Sequence, residues 1–307
     1  MTIRGTLPGD EIDYARLLSI QMTAPYDVAA LEDRRKRYSK REWHERVAEV
    51  DGKLVGMAEL VATGAKDSAM CRIVVDQDYR NQGIGASLLE FVTNIPLFQR
   101  SKVFAQVRDD EPYSLEFSKQ AGFVKQAHVF ESFIDPSQFE IDPFLPLVEK
   151  VNASGLKIVT LADLGSTDET RYKLWEIEHI TDHDIPGLDP DVLPSWEDAK
   201  DSWYQAPWFD PHAEFIALDG DRFVGVSGLA EMAAGTWSIL HTCTLREYRG
   251  RGIATALKAL ATNYAKEKGS RFLKTNNHSE NEAMLAINRR FGFQPMPGWI
   301  EVVRNPK

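Results

Sequence analysis

The sequence predicts an α/β chain made of two similar domains in tandem, each a mixed, mostly antiparallel sheet flanked by helices. Three observations carry this. Landmarks recur at nearly one offset: Val55-Gly56 returns as Val224-Gly225 (224 − 55 = 169), Tyr79-Arg80 as Tyr248-Arg249 (248 − 79 = 169) and Gly122-Phe123 as Gly292-Phe293 (292 − 122 = 170). A repeat of that length is a whole domain. The chain has 307 residues, 43% of them apolar, which is enough for two ordinary cores. Finally, hairpin-joined strands precede a glycine loop and a helix in both halves.

In the first half, a short strand at 2–6 precedes a helical pattern at 12–22. A polar stretch at 32–46, with Arg34-Arg35-Lys36-Arg37, is read as a solvated helix face. Strands at 46–50 and 53–61 are joined by the Asp51-Gly52 hairpin signal. A strand at 69–75 leads to the glycine loop and a helix that Pro96 stops. A strand at 102–107 follows, then a helix begun by Pro112 and ended by Gly122. Residues 124–134 read as a final hairpin. Asp135-Pro136 and Asp142-Pro143 mark a connecting segment, so the domains are expected at 1–145 and 155–307.

The second half restarts with a strand at 156–161 and a helix at 168–179. Prolines at 186, 190, 194, 207 and 211 break the aromatic stretch that follows into short pieces. Strands at 213–218, 222–229 and 236–245 reach the second glycine loop. The helix at 253–268 carries Ile253, Leu257, Leu260, Ala261 and Tyr264 at helical spacing. A strand at 271–275, a helix at 280–290 and a strand at 299–303 complete it.

Net charge is −10, shared equally: residues 1–150 hold 19 basic and 24 acidic residues, the remainder 17 and 22. That balance argues against a nucleic-acid partner and is compatible with a cationic acceptor. No stretch has membrane-spanning length and the N-terminus has no apolar h-region, so a cytoplasmic location is expected. Two cysteines, Cys71 and Cys243, make neither a disulfide framework nor a metal pair.

Tyr248-Arg249-Gly250-Arg251-Gly252-Ile253-Ala254 has the makings of an anion cradle. Close-set glycines let backbone N–H groups converge, and the following helix adds its positive end. A P-loop reading fails because neither copy has the required lysine, and a dinucleotide fingerprint fails because its third glycine is Leu88 or Thr255. Arg80-x-x-Gly83-x-Gly85 and Arg249-x-x-Gly252-x-Ala254 instead resemble the R/Q-x-x-G-x-G/A signature of the GNAT superfamily of N-acetyltransferases. The resemblance extends through Asn281-x-x-Met284-x-x-Ile287-Asn288 to Gly292-Phe293 and covers both halves.

The resemblance implies a sheet split into a V, here between the strands at 236–245 and 271–275, with the pantetheine arm of acetyl-CoA in the gap. Arg249 and the backbone of Gly250, Arg251, Gly252, Ile253, Ala254 and Thr255 would hold the pyrophosphate. Cys243, Thr244 and Leu245 would line the strand end, with an N–H near Leu245 polarising the thioester carbonyl. Asn281 and Asn288 would support the cofactor. In the first repeat, Val75, Arg80, Gln82, Gly83, Ile84, Gly85 and Ala86 take these places. Tandem members of the family carry catalysis in the C-terminal domain, so the first domain is expected to be non-catalytic or structural.

Direct transfer needs a base for the incoming ammonium and a proton donor for the departing thiolate. Family members often place a tyrosine four residues before the closing Gly-Phe. Here Asn288 and Ser118 stand at that position; Asn288 is a catalytic candidate that could hydrogen-bond the sulfur or the pantetheine but cannot supply a proton, so the donor is left unassigned. His241, on the strand entering the loop, is the first candidate base, and Glu231 the second. Both are also ordinary residue types for a core or a hairpin surface. Cys243 reads as a small buried residue. Asp182, His183 and Asp184 with His179 read as acceptor contacts, with no metal site. Trp196, Trp203 and Trp208 either pack the segment at 182–212 or, with Asp184 and Asp198, line an amine pocket. The expected activity is transfer of an acetyl group from acetyl-CoA to a primary amine of a small molecule or peptide. The alternative is a non-catalytic CoA-binding sensor or scaffold.

Overall fold

Turn chemistry and cross-strand pairing set the frame of each repeat. The computed structural model describes residues 1–21, 26–63, 67–186 and 193–306. Met22 and Pro190, used in the sequence reading, lie outside them. The chain divides into two compact units, Met1–Ala127 with Trp299–Lys307, and His128–Gly298.

The first unit contains β1 (Thr2–Arg4), α1 (Glu11–Ser19), α2 (Val28–Arg37), β2 (Trp43–Val50), β3 (Lys53–Ala62), β4 (Ser68–Val75), α3 (Ile84–Thr93), α4 (Pro96–Arg100), β5 (Lys102–Arg108) and α5 (Pro112–Gln120). Asp51 and Gly52, at φ 50° and 78°, make the tight turn joining β2 to β3. Pro96 does stand beyond α3, but as the first residue of α4, where a missing N–H costs nothing. Arg34 corrects the expectation of a solvated basic face: it is buried, and its guanidinium donates to both oxygens of Glu59 at 2.8 and 2.6 Å. Arg72 donates to the same carboxylate at 2.8 Å.

β6 (Val124–Ile134) is one strand where a hairpin was expected, since no turn residue interrupts it. The second unit continues with α6 (Leu145–Ala153), β7 (Lys157–Thr160), α7 (Asp168–Asp182), α8 (Trp196–Ser202), β8 (Glu214–Asp219), β9 (Arg222–Ala233) and β10 (Thr236–Thr244). Then come α9 (Ile253–Glu267), β11 (Phe272–His278), α10 (Glu282–Phe291) and β12 (Gln294–Pro295). The last strand, β13 (Trp299–Arg304), lies outside this unit.

Strand order is β1-β2-β3-β4-β5-β13 in the first unit and β6-β11-β10-β9-β8-β7 in the second. The expected boundaries therefore need correction at both ends. β13 pairs antiparallel with β5 from Trp299↔Arg108 to Arg304↔Val103, whereas residues 129–134 of β6 pair with β11. Each of β5 and β11 follows a parallel crossover and would otherwise present an open edge. Each edge is covered by a strand from the other half of the sequence, which residue-by-residue patterning does not reveal.

Both sheets are split as expected. β4 and β5 are paired in parallel only over Ser68↔Lys102 to Met70↔Phe104, and β10 and β11 only over Thr236↔Phe272 to Ile239↔Thr275. Beyond those pairs the strands run on without meeting. The repeated Val-Gly landmark has a packing cause. A Cβ at Gly225 would lie 2.7 Å from Ile253 Cγ2, and one at Gly56 would lie 3.2 Å from both Ile84 Cγ2 and Leu88 Cδ1. The helix behind each glycine loop thus lies directly on that strand.

Candidate active site

The loop between β10 and α9 is shaped by residues in the left-handed region. Gly250 and Gly252 have φ of 76° and 84°; in the first unit Asn81 and Gly83 take these positions at 60° and 82°. Gly252 and Gly83 cap their helices without a side chain to accept from the first turn. The N–H groups of Ile253, Ala254 and Thr255, or of Ile84, Gly85 and Ala86, thus have no acceptor within the helix. Gly252 also meets Leu147 of α6, whose Cδ1 lies 2.6 Å from where a Cβ would stand.

The arginines of the motif face inward along the chain. Arg249 Nε donates to Thr244 O at 3.0 Å, as Arg80 Nε does to Val75 O at 3.1 Å, so each pins the end of its strand to the loop. One terminal nitrogen of each meets a carboxylate, Asp184 for Arg249 and Glu111 for Arg80. Arg251 donates to Glu247 O and stacks on Tyr248, while Gln82 donates to Asp78 O. Leu245 departs from its expected role, because its N–H donates to Val224 O at 3.0 Å.

Between Ile239 and His241 the register with β9 shifts by one residue, leaving Leu240 as a bulge. A bulge reverses the inside-outside alternation beyond it. Trp237 and Ile239 pack on the α9 side; His241 and Cys243, beyond the bulge, meet α7. The register of β3 with β4 has no such shift.

α7 presents Glu178, Thr181 and Asp182 at helical spacing. His241 is mostly buried, with Nδ1 3.7 Å from Asp182 Oδ1 and Nε2 3.4 Å from Thr181 Oγ1. Burial lowers its pKa against the opposing pull of Asp182, so the ring is neutral near pH 7. Asp182 is raised by burial. Glu178 accepts from Tyr204 OH at 2.8 Å, and burial lifts it to about 7. Buried Glu214, on β8, is raised well above the carboxylate range by burial and then by Glu178, and its Oε2 has no partner. Its side chain fits only because residue 228 is glycine: a Cβ there would lie 2.1 Å from Oε2.

The other predicted residues fall in different places. Glu231 is exposed at the β9–β10 turn, accepting from Gly235 N at 2.7 Å, and pairs with Trp237, below the bulge. Cys243 is buried, with its thiol pushed up to about 12. Asn281 caps α10 by accepting from Met284 N at 3.2 Å. Asn288 is buried; its Nδ2 donates to Asn277 Oδ1 at 2.6 Å, and its Oδ1 has no partner. Asp184 is held by Arg246 and Arg249, which drive it down to about 2, and Asp198 accepts from Ser195. Asp184 is thus committed to the two arginines, whereas Asp198 is exposed with one oxygen accepting from Ser195. Trp196 packs against Trp175 and Tyr204, while Trp203 meets Trp208. Sequence reasoning missed Glu178, Tyr204 and Glu214, whose meeting depends on strand pairing and helix packing.

Two stretches of the chain, residues 13–123 and 177–293, match the sequence model described as "Acetyltransferase (GNAT) family". The chain belongs to the GNAT acetyltransferase family. Each GNAT region contains one of the glycine loops and one of the splayed strand pairs. Similar relatives include mycothiol acetyltransferase of Geodermatophilus obscurus, 24% identical over 252 residues, covering 79% of this chain and 76% of that protein. N-alpha-acetyltransferase 30 of Schizosaccharomyces pombe is 34% identical over 87 residues, 27% of this chain, and the match spans 58% of that protein's length. Among solved structures, a GCN5-related N-acetyltransferase from Sphaerobacter thermophilus superposes with TM-score 0.68 at 18% identity, covering 100% of this GNAT chain and 96% of that one. Among the described residues, no helix is long and apolar enough to cross a membrane.

Proposed function

We propose that the second unit transfers the acetyl group of acetyl-CoA to a primary amine of a small molecule or peptide by direct attack, with His241 as the base. The observation that carries this reading is the position of His241, just past the bulge at Leu240 and beyond the last β10–β11 pair, on the face that holds Glu178, Asp182 and Glu214. The residues present suit the cofactor. The first turn of α9 offers free N–H donors to a pyrophosphate, the edges of β10 and β11 beyond Ile239 and Thr275 are unpaired, and Thr244 Oγ1 and Asn288 Oδ1 are buried polar atoms without partners. Acetyl-CoA supplies the activated acyl group. Backbone donors of β10 past Ile239 would stabilise the oxyanion, in place of the Leu245 N–H. His241 takes the ammonium proton, with Asp182 orienting the ring.

The first unit differs at the corresponding place. Glu59 and Arg72, paired across β3 and β4, correspond to Gly228 and His241 by the repeat offset (228 − 59 = 169; 241 − 72 = 169). Their ion pair, joined by Arg34, fills the side that in the second unit holds His241. The first unit is therefore proposed to be structural or to bind CoA without transfer. Incubation with labelled acetyl-CoA and a panel of small-molecule and peptide amines tests the proposal. Label appearing on an amine is the expected result; CoA binding with no transfer to any amine or to water would instead identify a sensor or scaffold.

A further inference from the structure

Lys258 lies on α9, on the second turn behind the glycine loop, and is completely buried. Thr275 of β11, Met284 of α10 and the ring of Phe293 surround its ammonium: Nζ is 3.5 Å from Thr275 Oγ1, 3.8 Å from Met284 Sδ and 5.4 Å from the ring centre. None of the three titrates, and burial is the cause that lowers this lysine to about 7. An unpaired buried ammonium is costly enough that it is not a packing choice, since an apolar residue of similar length would serve better there.

Its location gives it a use. Thr275 pairs with Ile239 and is the last β11 residue to touch β10, so Nζ sits at the crotch of the V, one residue before the bulge. Asn288, at the place of the missing tyrosine, reaches Asn277, two residues past Thr275. The first repeat has Leu89 at the corresponding position (258 − 169 = 89), so the charge belongs to the second unit alone.

We propose that Lys258 is the acid of the transfer reaction, giving its proton to the departing CoA sulfur. This rests on the second cleft holding acetyl-CoA. The amine nitrogen bonds to the thioester carbon and the C–S electron pair moves to sulfur. The Nζ proton follows to make the thiol; the amine nitrogen loses two protons in all, the ammonium proton through His241 to water before attack and the second to His241 after it, which releases it to water. Lys258 is left neutral and regains a proton from water after CoA leaves, so no other reactant is required.

The test is a titration of CoA bound to the full-length protein, reading thiolate absorbance in the ultraviolet, for wild type and Lys258→Met. Where Lys258 is charged, below about pH 7, its ammonium favours the thiolate, so bound CoA carries more thiolate there than free CoA in wild type, and this shift disappears in Lys258→Met. In turnover, the variant loses kcat about 10²-fold with the KM for acetyl-CoA little changed, and it loses the fall in kcat above about pH 7. Equal thiol titration in both proteins overturns the proposal, as does recovery of Nε-acetylated Lys258, which would make it an acceptor. If the variant does not fold, the wild-type titration decides alone, and an unshifted thiol refutes the role. Failure of CoA to bind overturns the cleft reading and this inference together, whereas binding without a thiol shift removes only the acid.

Discussion

At the scale of single residues, the site is governed by desolvation more than by pairing. Glu178 is a carboxylate whose folded pKa of about 7 lies above its ordinary 4.5, so the folded state binds the extra proton between those values. Stability from that proton is fully present below about pH 4.5 and is lost as pH rises through 7. Glu178→Gln keeps a partner for Tyr204 OH and removes the charge. Its melting temperature should match wild type near pH 4.5 and exceed it at pH 8, and equal melting at both would show that Glu178 is solvated. His241 has the opposite sign: its lowered pKa keeps it a neutral base at neutral pH. His241→Gln should lower kcat about 10²-fold while leaving the KM for acetyl-CoA unchanged. Steady-state kinetics with a responsive amine check this, and an unchanged kcat would remove His241 as the base. His241 was legible only as a candidate, because a histidine on the strand entering the loop is equally an ordinary core residue. Glu214 and Lys258 were not, because one hides opposite a glycine on the neighbouring strand and the other is a polar residue on an otherwise regular helix.

Among the elements, β13 shows most clearly what local patterning leaves out. Its alternation identifies it as a strand, and the sequence reading found its extent to within a residue. Nothing in six residues says which open edge they join. In the structure they cover β5, with Val302 and Val303 buried. Each buried valine contributes about 1.5–3 kcal/mol, and the edge hydrogen bonds would be lost with them. Deleting residues 299–307 should therefore destabilise the first unit by several kcal/mol and leave the second less affected. Hydrogen exchange would report it as faster exchange in Lys102–Arg108 with little change in Phe272–His278. Accelerated exchange confined to Phe272–His278 would contradict the assignment of β13 to the first unit. The bulge at Leu240 is illegible for a related reason: one extra residue within an apolar strand leaves no compositional mark, yet it puts Trp237 and Ile239 on the opposite face from His241.

Across the whole molecule, the duplication was readable because glycine landmarks are fixed by backbone geometry, and both copies keep them. What the copies do with that geometry depends on the residues facing each V. In the first unit, Glu59, Arg34 and Arg72 close the side where the second unit has Gly228 and His241. The second adds Lys258 at the base of its V. A division of labour follows, and changes in the two glycine loops separate it. Arg249→Ala combined with Gly252→Ala releases Thr244 O and puts a Cβ at a φ of 84° against Leu147, so the cradle for the pyrophosphate is lost. Arg80→Ala combined with Gly83→Ala makes the matching change at Val75 O and a φ of 82°, where no neighbouring atom stands in the way. The first pair should abolish measurable acetyl transfer. The second should leave kcat within about two-fold and cost only the roughly 1 kcal/mol expected of a strained cap. Melting curves on both proteins distinguish loss of activity from loss of fold. Transfer that survives the first pair and vanishes with the second would move catalysis to the first unit and require the Glu59 ion pair to open.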